Sequence, residues 1–209
     1  MSNVLILASA SPRRADLLRT IGCRFEVVPS AVNEQTRPEI TPIDVVTQLA
    51  ARKADDVAQQ YPDRIVIGAD TIVIARDHIL GKPEDRDDAR RTLQRLSGAT
   101  HQVFTAISLV LRAKGRSESA LARTDVTFRA LSDEEIERYL DTSEPYDKAG
   151  SYGIQGRAAL FAEDIQGCFY NVVGFPVTQF WLALNRMTDG TPEAYLSTTP
   201  TPDLLALDG

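Results

Sequence analysis

Apolar residues run without interruption through residues 4–8, flank a break at residues 68–71 within residues 65–74, and occupy both alternations of residues 101–112. Runs of this kind predict strands covered on both faces, the middle one interrupted. Residues 118–129 alternate instead, Ala120, Ala122, Val126 and Phe128 against Arg123, Asp125, Thr127 and Arg129. One face of that strand meets water, and it pairs back on its predecessor as a long hairpin across Lys114-Gly115-Arg116. Helical spacing marks Leu17, Leu18 and Ile21 before Gly22, then Val46, Leu49, Ala50 and Val57, then residues 84–96 ahead of Gly98, then Ile136, Tyr139 and Leu140. Three of these helices carry start signals: Ser11-Pro12, Thr41-Pro42 with Asp44 three on from the threonine, and Ser132 with Glu135. Residues 24–29 read as a further strand, residues 158–162 and 169–173 as a last hairpin around Gln166-Gly167, and a final helix ends near Arg186. The pattern predicts an α/β fold in a single domain over residues 1–187, followed by a loosely held Thr- and Pro-rich tail at 188–209.

Several positions break this pattern. Lys53 stands on the buried stripe of the second helix, where an apolar residue belongs; it either snorkels at the stripe's edge or is aimed into a cleft. Asp70 lies between two apolar triplets, where a buried carboxylate costs on the order of several kcal/mol unless a cation, a metal or hydrogen-bond donors compensate. It is either functional or a structural acceptor at a bulge beside Gly68. Arg13 and Arg14 fall in the first turn of a helix, whose free N–H groups attract anions and whose paired guanidinium forks suit phosphate oxygens. A capped surface helix with two solvated arginines has the same sequence. Glu34 lies in a polar loop at 30–41, and Lys82 in the short loop Gly81-Lys82-Pro83. Residues 144–156 carry three glycines spaced by three, which allow close approach of backbone to a ligand, with Asp147 and Lys148 for charge and Tyr146, Tyr152 and Gln155 suited to a planar, hydrogen-bonding group. An exposed irregular loop has a similar composition. Cations beside carboxylates at strand ends suit a phosphate chain together with Mg²⁺ or Mn²⁺.

Composition narrows the classes. A formal net charge of −6 argues against a general nucleic-acid or acidic-membrane binder, so any polyanion site must be local. No apolar run reaches the length of a membrane span or a secretory signal core, and no basic leader precedes the first strand, so the cytoplasm is expected. Cys23 and Cys168 form no metal-binding or redox spacing, and His78 and His101 are isolated, which leaves a hard cation held by carboxylates as the metal to expect.

Five segments, Ser9-Ala10-Ser11-Pro12-Arg13-Arg14, Gly68-Ala69-Asp70-Thr71, Gly81-Lys82-Pro83, residues 144–150 and Asn171-Val172-Val173-Gly174-Phe175-Pro176, together resemble the Maf family of nucleotide pyrophosphatases, in family order across residues 4–186. The resemblance implies a Maf/ITPase-like fold of two lobes around a cleft, a central mixed sheet flanked by helices, and hydrolysis of a nucleoside triphosphate to the monophosphate and pyrophosphate with a divalent metal. It implies Asp70 as proton acceptor, Ser9, Arg14, Lys53 and Lys82 on the phosphates, and Glu34 with Asp70 at the metal. Arg13, Thr71 and Gln155 match the set associated with the branch that acts on dTTP and UTP; the branch acting on 7-methyl-GTP lacks it. A homodimer is the family expectation. Thr105-Ala106 departs from the common Thr-Gly, and Tyr146 and Phe175 stand where leucine is common. Two other classes remain open: a non-catalytic nucleotide-binding regulator of septum formation, and a phosphatase of the aspartyl-phosphate kind, which needs an acid where this chain has Ile72.

Overall fold

The structure is a computed structural model and describes residues 3–34 and 41–197. Residues 35–40 of the polar loop and 198–209 of the tail therefore lie outside the described residues. Among the described residues a seven-stranded mixed sheet forms, with helices on both faces. In chain order the elements are β1 (Leu5–Leu7), α1 (Pro12–Thr20), β2 (Phe25–Val27), α2 (Pro42–Ala58), β3 (Val66–Ala75), β4 (His78–Leu80), α3 (Arg86–Leu96), β5 (Thr100–Leu111), β6 (Arg116–Phe128), α4 (Asp133–Leu140), β7 (Ala162–Gln166), α5 (Phe169–Val173) and α6 (Val177–Met187). The strands run in the order β2-β1-β3-β5-β6-β7, with β4 added to β3. β1 pairs in parallel with β2 and β3, and every other pairing is antiparallel.

The period of two in a strand divides the apolar runs between two cores. Leu5, Leu7, Ile67 and Ala69 face α1, α3, α4 and α6. Ile6, Ala8 and Val66 face Ala54 and Val57 of α2 on the other side, and Ile72, Phe104 and Ala106 face Val46 and Ala50 of that helix. Burial on both faces is why these strands read as unbroken apolar runs. The capping signals act as the residue types require: Thr41 accepts from the Asp44 N–H, and Ser132 and Glu135 form both halves of a capping box.

Three expectations change. β3 is not interrupted: it pairs with β5 residue for residue from Val66 opposite Val110 to Ile74 opposite Gln102, so no bulge accompanies Gly68. Gly68 instead lets α2 lie against the strand, since a Cβ there would sit 2.1 Å from the Ala50 carbonyl oxygen. The last hairpin also differs. β7 pairs with β6, but residues 169–173 form α5, although Val172 and Val173 favour extended backbone locally. Tertiary bonds override that preference: the Asn171 side-chain amide donates to the Val103 carbonyl and to Thr124 Oγ1, and the Cys168 N–H donates to Thr124 Oγ1. Finally, residues up to Ser197 are bonded to the body of the chain rather than loosely held. Arg24 N–H donates to the Tyr195 carbonyl, Ser197 N–H to the Gly22 carbonyl, and Cys23 bridges Leu196. No helix among the described residues is long and apolar enough to cross a membrane.

The topology opens a cleft. From β1 the chain passes over one face through α1 to β2, then over the other through α2 to β3, so β1 lies at a switch point of the sheet, where α/β folds bind ligands beyond the carboxyl ends of strands. β1 ends early, with the Ala8 N–H on the Ile67 carbonyl, and β4 covers the same edge of β3 only from Val73 to Ala75. Between them, Asp70 and Thr71 lie on an open stretch of edge.

Candidate active site

The cleft along that edge has a volume of about 900 Å³ and is lined by the β1–α1 corner, α2, β3, the loop after β4 and residues 144–156. Ser9, Arg13, Arg14, Glu34, Lys53, Asp70, Thr71, Lys82 and Gln155 all line it, whereas Tyr146 does not and its hydroxyl donates to the Leu140 carbonyl. The strand period sends neighbouring residues to opposite sides. Asp70 faces α2 and Thr71 faces α1.

On the α2 side, Lys53 is turned into the cleft. Its Nζ donates to Asp70 Oδ1 at 2.7 Å and pairs with Glu34 Oε1 at 2.6 Å, and its side chain is only 11% exposed. The close packing of Gly68 on Ala50 and Ala54, which flank Lys53 on the helix, holds that reach. The bond from Lys53 brings the Glu34 carboxyl below its usual range; burial opposes this, and Lys53, Lys82 and Arg14 add their charges. Lys82 is exposed and has no bonded partner among the described residues.

On the α1 side, Arg14 commits four of its five N–H groups to protein oxygens. Nε donates to the Gly174 carbonyl at 3.0 Å, Nη1 to the Ala69 carbonyl at 2.8 Å and to Ser9 Oγ at 3.2 Å, and Nη2 to Thr71 Oγ1 at 3.1 Å. It ties the end of β1, the open edge of β3 and the α5–α6 turn together. Burial lowers its pKa, Asp70 opposes that shift, and the guanidinium stays charged. Arg13 spans the cleft mouth to Asp147 at 3.2 Å. Burial raises the Asp147 pKa, but bonds from Lys148 and Arg13 bring it below its ordinary value.

Residues 144–156 depart from expectation. Two 3₁₀ turns, Glu144–Asp147 and Ala149–Ser151, replace an extended loop. The glycines admit the protein's own side chains: a Cβ at Gly153 would meet Lys148 Cε at 2.8 Å, and one at Gly156 would meet Glu144 Oε2 at 2.3 Å. Tyr152 is buried against Phe128 and bonded to His101, so it belongs to the core rather than to ligand recognition. Gln155 is exposed. Sequence reasoning missed Glu144, whose carboxylate accepts the Arg157 N–H at 3.0 and 3.1 Å and the Tyr139 hydroxyl at 3.3 Å, fixing the segment that carries Gln155. Thr105, noted in the sequence only beside Ala106, is a hydroxyl on the apolar alternation between Val103 and Ile107, and that position is the signal for a polar contact.

The donor set admits a hard cation in one way. No group of three or more His, Cys, Asp or Glu side chains gathers for a metal among the described residues. Glu34 and Asp70 converge on one ammonium, and two carboxylates are what Mg²⁺ takes when phosphate oxygens and water complete its shell.

Fold and site together define an α/β protein with a nucleotide-sized cleft at a sheet switch point, lined by cations and paired carboxylates. The model for the family Maf, Maf-like protein, matches residues 4–187. A dTTP/UTP pyrophosphatase of Syntrophus aciditrophicus (strain SB) is 44% identical over 187 residues, 90% of this chain and 91% of that protein. Another, of Bacillus cytotoxicus, is 47% identical over 189 residues, 90% of this chain and 98% of that protein. A HAM1 protein from Coxiella burnetii aligns with a TM-score of 0.44 at 10% identity over 89% of this chain and 96% of that one. The chain belongs to the Maf family.

Proposed function

We propose that the protein hydrolyses dTTP and UTP to the monophosphate and diphosphate, a nucleoside triphosphate diphosphatase that keeps the nucleotide pool, in the cytoplasm. The observation that carries this reading is the buried Lys53 between Asp70 and Glu34 on the open edge of β3, with Lys82 exposed in the same cleft. Relatives named dTTP/UTP pyrophosphatase, similar over nine-tenths of the chain, support the choice of substrate.

Glu34 and Asp70 are the residues that would hold Mg²⁺ or Mn²⁺. Such a cation neutralises phosphate charge and makes neighbouring water more acidic. Lys53 fixes Asp70 through Oδ1, so Oδ2 is the atom assigned to take the proton from the attacking water. The water oxygen bonds to the α-phosphorus in line with the leaving group, the bond from that phosphorus to the bridging oxygen breaks, and pyrophosphate departs. Lys53, Lys82, Ser9 and the remaining N–H of Arg14 stabilise the charge that grows on it. Arg13, Thr71 and Gln155 face the base. The test is a panel of dTTP, UTP, CTP, GTP and 7-methyl-GTP with Mg²⁺, Mn²⁺ or chelator, with mono- and diphosphate products resolved. Pyrophosphate from dTTP and UTP in the presence of metal is expected. Orthophosphate as product, or a guanine preference, contradicts the proposal.

A further inference from the structure

Thr71 lies at one end of a chain of hydroxyl groups. Its Oγ1 is 3.1 Å from Arg14 Nη2 and 3.0 Å from Thr105 Oγ1, and Thr105 Oγ1 is 3.1 Å from the Asn171 carbonyl oxygen. Thr105 is fully buried, so water does not enter into its bonding. Each hydroxyl carries one hydrogen, a guanidinium only donates and a carbonyl only accepts. With the Thr105 hydrogen on the Asn171 carbonyl, all three contacts are bonds, and the Thr71 hydrogen must point at Thr105. The Asn171 carbonyl also accepts the Gly174 N–H, but the reverse order still sets the Thr105 and Asn171 oxygens against each other at 3.1 Å in a buried site with no hydrogen between them, which is disfavoured. The network thus uses the only hydrogen of Thr71 and leaves it one lone pair.

From this count we infer that Thr105, through the Asn171 carbonyl, positions Thr71 as an acceptor alone, and that this polarity selects a base carrying an N–H donor, the N3–H common to uracil and thymine, over cytosine, whose N3 is itself an acceptor. The inference rests on the proposed function, in which Thr71 faces the base. Thr105 touches no substrate. It acts by fixing the direction of another group's hydrogen, a role that neither charge nor apolar packing reveals.

Thr105→Val removes the acceptor for the Thr71 hydrogen, which is then free to turn toward a base. Arg14 still donates to Thr71, and Thr71 still accepts from UTP. The ratio of kcat/KM for UTP to that for CTP is expected to fall roughly tenfold or more, through a gain for CTP, while UTP stays within about threefold of wild type. Thr105→Ser, which restores the hydroxyl, is expected to restore the ratio. A purely structural role for Thr105 lowers both substrates in proportion, and an unchanged ratio overturns the inference. Should the valine variant fail to fold, 3-methyl-UTP, whose N3 carries a methyl group in place of hydrogen, serves on the wild-type protein. A loss of roughly tenfold in kcat/KM supports the inference, and turnover equal to that of UTP overturns it. A wild-type protein that releases no pyrophosphate from UTP or dTTP overturns the proposed function and this inference with it; an active one whose ratio ignores Thr105 overturns this inference alone.

Discussion

Gly68→Ala tests whether the packing of α2 on β3 sets the catalytic geometry. The added methyl would stand 2.1 Å from the Ala50 carbonyl oxygen and 2.6 Å from the Ala54 nitrogen, both backbone atoms that no side-chain rotation can move aside. Ordinary contact begins near 3.4 Å, so helix and strand must separate by more than an ångström. Lys53 is one residue from Ala54 and holds Asp70 at 2.7 Å, so the same displacement breaks its grip. Overpacking of this kind costs about 1–3 kcal/mol. For a chain of this size each kcal/mol lowers Tm by about 2–4 °C, so a fall of about 2–12 °C is expected. Misplacing catalytic groups by about 1 Å costs on the order of 10²-fold in rate. The assay is a melting curve beside pyrophosphate release from dTTP at saturating nucleotide, well below the variant's Tm. Wild-type turnover with an unchanged Tm would mean that the helix does not bear on the strand at Gly68.

Lys53→Met leaves Glu34 and Asp70 without their shared cation, so the Glu34 pKa is expected to rise toward its ordinary value while turnover falls by about 10² or more; NMR titration of the Glu34 carboxyl checks the first part. His101 is fully buried, its Nε2 bonded to Tyr152, and burial holds its pKa down to about 4 against an ordinary 6.5. The unfolded chain therefore binds the proton more readily than the folded one, and the stability tied to His101 is present above pH 6.5 and lost as pH falls toward 4, by about 3 kcal/mol in all. Urea unfolding of wild type and His101→Gln between pH 7 and 4.5 should show the extra slope in wild type only, and parallel curves would count against it. Glu144→Ala removes the bifurcated bond that its carboxylate accepts from the Arg157 N–H and loosens the segment bearing Gln155. A charge-assisted bond of this type contributes about 1.5–3 kcal/mol, so faster amide exchange at Arg157 and a several-fold higher KM are expected, with kcat nearly preserved.

Where local chemistry decides, the sequence is informative. Thr41, Ser132 and Glu135 cap helices because their side chains satisfy N–H groups within three residues, a relation visible in any stretch of chain. Lys53 and Asp70 stand out for a related reason, as charges on apolar stripes that need compensation the chain must supply from elsewhere. What that compensation is depends on contacts between distant segments: Lys53 meets Asp70 only because Gly68 lets the helix close on the strand, a role that the sequence pattern presents as a break in β3. The same limit explains α5, where the amide of Asn171 and the hydroxyl of Thr124 hold a helical turn against the extended preference of two valines. Arg14 is legible as a positive charge, but its four bonds to Ser9, Ala69, Thr71 and Gly174 follow from where three separate segments meet.

In the proposed reaction one carboxylate on the uncovered edge of β3 removes a proton from water attacking a bound triphosphate. Asp70→Asn keeps the shape of that side chain and abolishes its basicity, so turnover of dTTP and UTP with Mg²⁺ should fall by about 10² to 10⁴ while Tm is essentially unchanged. A folded Asp70→Asn protein releasing pyrophosphate at the wild-type rate would rule out Asp70 as the base.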